Sequence, residues 1–298
     1  MIKITNLTKS YGKKKVLENL NCTIKTGSIY GLVGANGAGK STLLRIINDV
    51  FDKDSGTIEI DGKELTGDAS LKQKLVFVPD DLFFFSGYTL LDMASFYKDM
   101  YEKFDLEYVK ELAGILKLNL NEKINNFSKG MKRQCALICA IATNADYMFF
   151  DETFDGVDPV VRTLLKKIIV KQMEKKETTI IMTSHNLREL EDICDNLGLL
   201  HKGGILFESD IDSIKTSMYK VQISLKDDFS KDTFNDLEVI NFKKVGSVAT
   251  LIINDKKNDA KSKLEKLNPV ILDYLPLTLE EVFIYEMEAL GYEFNEVI

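Results

Sequence analysis

The chain has 298 residues, 45% of them hydrophobic, and a formal net charge of -7. That length supports one large domain plus a small one, and the acidic balance argues against broad electrostatic binding of nucleic acid or anionic lipid. No run reaches the ~18 apolar residues of a membrane span and MIKITNLTKS lacks the apolar centre of a signal peptide, so the expected location is cytoplasmic.

Two strands come first: KITNLTKSY and KKVLENLNCTI flank a Gly-Lys turn and predict an antiparallel pair. SIYGLV then runs as a strand into GLVGANGAGKSTLLRII, where Gly34, Gly39, Lys40 and Ser41 satisfy G-x-x-x-x-G-K-[ST]. A loop of Gly34, Asn36, Gly37, Ala38 and Gly39 between strand and helix can turn its amides toward phosphates. Lys40 then reaches the β and γ phosphates, Ser41 ligates Mg2+, and Thr42 continues into the helix.

From about Phe83 to Met131 the apolar spacing is helical and predicts a helical subdomain inserted in the sheet domain. Its last piece, FSKGMKRQ, places Ser128 as an N-cap and Gly130 in the first turn, a helix start that presents bare N–H groups to an anion. In YMFFDETFDGVDP four apolar residues deliver Asp151 and Glu152 to a buried strand end. Adjacent carboxylates are costly there unless a cation or a proton-transfer task occupies them. Asp151 then holds Mg2+ through water and Glu152 orients or deprotonates an attacking water. TTIIMTSH ends a further strand at His185, and strand ends converging on one sheet edge are where open α/β sheets bind ligands. The cysteines, at 22, 135, 139 and 194, lack zinc-ribbon spacing and read as buried reduced thiols. Beyond about residue 216, YKVQISL, VINFKKV, VATLIIN and VILDYL read as short strands, with KSKLEKL and LEEVFIYEMEAL as helices, of a small α/β domain.

Taken in order, these motifs resemble those of the ATP-binding subunits of ABC transporters, over residues 1 to about 215. The resemblance implies a P-loop NTPase fold of the ABC type: an antiparallel β subdomain, an inserted helical subdomain and, here, a small C-terminal α/β domain. FSKGMKRQ stands where that family has LSGGQ. The resemblance implies a head-to-tail dimer in which this helix caps ATP held by the phosphate loop of a second copy or a related subunit. Ser128 and Gly130 match the pattern; Lys129 and Met131 depart from it. Lys129 either adds charge near the nucleotide or points to solvent. Tyr11 matches the aromatic on which adenine stacks, Asp158 the loop aspartate between the two sites, and His185 the histidine contacting the γ-phosphate. Asp80, in LVFVPDD, stands where the family has a glutamine that touches magnesium. In the following LFFFSGY, Phe83, Phe84 and Phe85 form an apolar docking patch or are buried in the helical subdomain. The implied function is ATP hydrolysis powering transport, in the export direction, through a separate membrane permease. A non-transport ABC ATPase or a regulatory nucleotide-binding module is the alternative, and no nucleic acid is expected.

Overall fold

The computed structural model describes residues 1–65, 67–211, 218–255, 259–275 and 277–289, and divides into two compact units, Met1–Glu208 and Ser209–Ile298. The sequence boundary near 216 falls outside the described residues, as does the final leucine of LEEVFIYEMEAL.

The first unit opens with β1 (Ile2–Tyr11) and β2 (Lys14–Ile24), the expected antiparallel pair, followed by β3 (Ile29–Val33) and α1 (Lys40–Ile47). After them come β4 (Ser55–Ile60), β5 (Lys63–Glu64), α2 (Ala69–Lys72) and β6 (Leu75–Val78). The helical stretch holds α3 (Leu90–Met100), α4 (Leu106–Ile115), a 3-10 turn at Ile124–Asn126 and α5 (Lys129–Ala142). Then follow β7 (Tyr147–Asp151), α6 (Pro159–Lys176), β8 (Thr179–Ser184), α7 (Leu187–Glu191), β9 (Asn196–His201) and β10 (Gly204–Asp210). Among the described residues no helix is long and apolar enough to cross a membrane.

Local chemistry sets the helix starts. Thr89 and Asp92 form a reciprocal capping box on α3, Asp105 caps α4 and Ser128 caps α5. Every residue of β3, β7 and β8 is buried, as expected of central parallel strands covered on both faces. They lie side by side in a six-stranded sheet of order β10-β9-β3-β8-β7-β6. β1, β2, β4 and β5 form a second sheet of order β2-β1-β4-β5. One apolar core joins Ile2 and Ile58 of that sheet, Leu44 and Ile47 of α1, and Phe149 and Ile181 of the six-stranded sheet, so α1 is pinned between the two.

Register positions the site. Val33 pairs with Ser184 across β3 and β8, and Asp151 with Thr183 across β7 and β8. The carboxyl ends of three parallel strands therefore meet at one edge.

The second unit is an antiparallel sheet of β11 (Met218–Ser224), β12 (Val239–Val245), β13 (Val248–Asn254) and, after α8 (Ala260–Lys266), β14 (Ile271–Leu275), ending in α9 (Leu279–Ala289). Its order, β12-β13-β11-β14, is that of the ferredoxin-like split βαβ, with a 3-10 turn at Lys231–Phe234 in place of the first helix. Val221, Leu251 and Leu264 centre its core.

Candidate active site

The loop from β3 to α1 depends on two glycines. A Cβ on Gly34 would lie 2.4 Å from the Leu200 carbonyl oxygen, and one on Gly39, whose φ is 112°, would meet that of Val16 at 3.0 Å. Only glycine lets this backbone lie so tightly on β2 and β9. Lys40, the first residue of α1, is 5% exposed; its ammonium donates to the Gly34 carbonyl at 2.7 Å and lies 3.3 Å from Glu152 Oε1. The loop opens on a cleft of about 480 Å³. Of the sequence-predicted residues, Asn36, Gly37, Gly39, Lys40, Ser41, Thr42, Asp80, Glu152 and His185 line it, joined by Lys14, Val16 and Asp155.

Asp151 is fully buried at the end of β7. Its Oδ1 accepts from the Thr183 hydroxyl at 2.7 Å, while Oδ2 is buried without a hydrogen-bond partner. An orphaned carboxylate oxygen suits a hydrated cation, and with the Ser41 hydroxyl it makes an all-oxygen donor set of the kind Mg2+ prefers. Among the described residues no group of three or more His, Cys, Asp or Glu converges to hold a metal.

Glu152 has φ 48°, in the left-handed region. Its N–H donates to Thr183 Oγ1 at 3.0 Å and its carbonyl accepts from Arg133 Nη1 at 2.7 Å. The carboxylate is shared, with Oε2 lying 2.8 Å from His185 Nδ1 while Oε1 faces Lys40. Glu152 thereby bridges Lys40 and His185 at the edge of the cleft, a carboxylate within hydrogen-bond reach of a histidine and a lysine.

Other expected residues sit elsewhere. Ser128 is the N-cap of α5, accepting from the Met131 N–H at 3.3 Å, but Ser128, Lys129 and Gly130 do not line the cleft of their own chain. Lys129, which the sequence left between nucleotide and solvent, pairs with Asp155 at 3.1 Å and holds that carboxyl below its usual range. Tyr11 is 46% exposed and meets Phe51 edge-on at 6.3 Å; Lys14 and Val16 of the same hairpin form the cleft wall instead. The Asp158 carboxylate caps α6, accepting from the Val160 N–H at 2.9 Å. Asp80 is paired with Arg133 at 2.6 Å. Phe83 is 75% exposed and packs edge-on against Phe85, which also meets Tyr88 and Phe96, so an exposed aromatic patch lies next to Asp80 in sequence. Sequence reasoning singled out neither Arg133 nor Thr183. The readable signal was an arginine at the head of the apolar helical run CALICAIA.

The family model described as ABC transporter matches residues 17–155. The ABC transporter ATP-binding protein YtrB of Bacillus subtilis is 31% identical over 95% of this chain and 97% of its own length. The chain belongs to the ABC transporter ATP-binding family. The bacitracin transport ATP-binding protein BcrA of Bacillus licheniformis is 30% identical, over 72% of this chain and 71% of its own. A solved ATP-binding subunit of an ABC transporter superposes with TM-score 0.66 at 26% identity, covering 72% of this chain and 92% of that one. A dimeric ATP-binding cassette solved with ADP and Pi superposes with TM-score 0.65 at 23% identity, covering 71% and 99%. As an ABC ATPase with the P-loop fold, the chain binds nucleotide and hydrolyses ATP.

Proposed function

We propose that this ABC ATPase works as two copies, or one copy with a related subunit, on a separate membrane permease. It moves cargo outward and sits at the cytoplasmic face of the membrane. The observation that carries the catalytic reading is the Glu152 carboxylate held between Lys40 and His185 beside the phosphate loop.

The loop amides of residues 34–39, with Lys40, Ser41 and Thr42, bind the phosphates, Tyr11 stacks on adenine, and Glu152 takes the proton of the attacking water. His185, bonded to that carboxylate, orients it and reaches the γ-phosphate. Ser41 and Asp151 would hold Mg2+, which would neutralise charge on the β and γ phosphates, while Asp80 at the cleft wall is held by Arg133. The helix that starts at Ser128, Lys129 and Gly130 is directed to ATP on the other subunit, since these residues do not line their own cleft and an N-terminus of 14 helical residues favours an anion. The dimeric cassette with ADP and Pi supports that assembly as a fold likeness. Asp158, at the start of α6, contacts the opposite site, and the Phe83–Phe85 patch faces the permease. The transport name of the bacitracin relative supports a role in transport.

Equilibrium ATP binding tests the phosphate-loop assignment. Lys40→Ala removes the main point charge, worth about 1.5–3 kcal/mol per charge-assisted bond, so affinity should fall ~10–100-fold. Wild-type affinity would refute it.

A further inference from the structure

Arg133, the fifth residue of α5, is 1% exposed, and the nine residues that follow it to the end of the helix are all buried. A guanidinium taken out of water is costly, and an apolar side chain of similar volume would fill the position without that cost. Packing therefore does not account for the charge. The polar partners of Arg133 come from two other segments: Nη1 donates to the Glu152 carbonyl at 2.7 Å, and Nη2 donates to Asp80 at 2.6 Å and lies 3.7 Å from Asp155. Asp155 also holds Lys129, so Asp80 and Lys129, two departures from the family pattern, belong to one charge network.

Glutamate seldom adopts a φ near 48°, and a non-glycine residue stays there only where its surroundings over-determine it. Here both backbone groups are held, the N–H by Thr183 and the carbonyl by Arg133. We propose that Arg133 is a positioning residue for hydrolysis, fixing the Glu152 backbone so that its carboxylate meets Lys40 and His185, while neutralising Asp80 at the cleft wall. The inference rests on Glu152 being the base. Arginine suits the task because its planar fork serves a carbonyl and two carboxylates at once, which a single ammonium does not.

The test uses the full chain and compares kcat, KM for ATP and Tm in Arg133→Met, Arg133→Lys and the double variant Arg133→Met/Asp80→Asn, with Glu152→Gln as reference. In Arg133→Met the Tm should hold, because Asp80 and Asp155, 53% and 48% exposed, turn to water once unpaired. Its kcat should drop about 10²-fold from the misplaced base, with Arg133→Lys intermediate. KM should rise, since Asp80 then stands uncompensated beside the triphosphate, and the added Asp80→Asn should bring it back. Wild-type kcat in Arg133→Met overturns the proposal, as does a kcat that falls only in step with Tm across both variants. A KM that Asp80→Asn does not restore overturns the neutralising role. Full turnover in Glu152→Gln would remove the base reading itself, whereas an inactive Glu152→Gln beside a fully active Arg133→Met would sink the positioning role alone.

Discussion

Lys40 Nζ lies 3.3 Å from one oxygen of Glu152, and the other oxygen of that carboxylate lies 2.8 Å from His185 Nδ1. The lysine proposed to reach phosphate is thus held on the protein's own anion, and under that proposal an arriving triphosphate competes with Glu152 for it. Glu152→Gln removes both the competing charge and the base. ATP affinity should hold or rise while turnover falls by roughly 10² or more. Steady-state ATPase assays paired with equilibrium binding check both, and unchanged turnover would remove Glu152 from its role.

Thr183 bonds to two parts of this site, donating to Asp151 Oδ1 and accepting from the Glu152 N–H. Thr183→Val keeps the shape but leaves a buried carboxylate oxygen and a backbone N–H unsatisfied. Stability should fall by roughly 1–3 kcal/mol in urea unfolding, and kcat should fall with it.

Asp61, in the turn between β4 and β5, predicts an acid limb in the stability profile. Burial alone would lift its carboxyl, but hydrogen bonds from the Tyr147 hydroxyl, the Met1 ammonium and Lys74 outweigh burial and pull it down to about 2. The folded value is depressed below the ordinary 3.8, so the contribution is complete above that value and is lost as pH falls toward 2. Asp61→Asn should lower Tm at neutral pH and flatten the fall of Tm across that window. A parallel profile for the variant would refute the assignment.

The sheet edge where these motifs meet was legible in the sequence because each of its parts is local. GANGAGKS, FFDE and TSH are short motifs at the ends of apolar runs, and the parallel register brings those ends together. Arg133 was not legible: its partners lie 19 and 53 residues away, and only the folded neighbourhood shows that its charge is buried and paired. The Asp158-Pro159 pair carried an ordinary helix-start signal, a capping side chain before proline at the first position, that the family pattern overshadowed.

Boundaries were harder to read than elements. The helix read over FSKGMKRQ and CALICAIA is α5, which runs to Ala142 and buries Cys135–Ala142 all round, so the edge set near Met131 for the inserted subdomain falls inside one helix. β10 gave no period-2 signal, since most of its residues are half-buried on both faces. Whether the rings at 83 and 85 were core or surface depended on tertiary packing, which leaves both exposed.

The proposal that α5 serves the nucleotide of another subunit is tested by ATP binding and hydrolysis in Ser128→Arg, with oligomeric state followed by sizing chromatography. Ser128 caps α5 but does not line its own cleft, so this chain should bind ATP with wild-type affinity at its own phosphate loop, while the bulky cation at the helix start blocks closure over the partner's ATP. Binding should survive and hydrolysis should be lost. A Ser128→Arg chain that hydrolyses ATP at the wild-type rate as a monomer would contradict the claim.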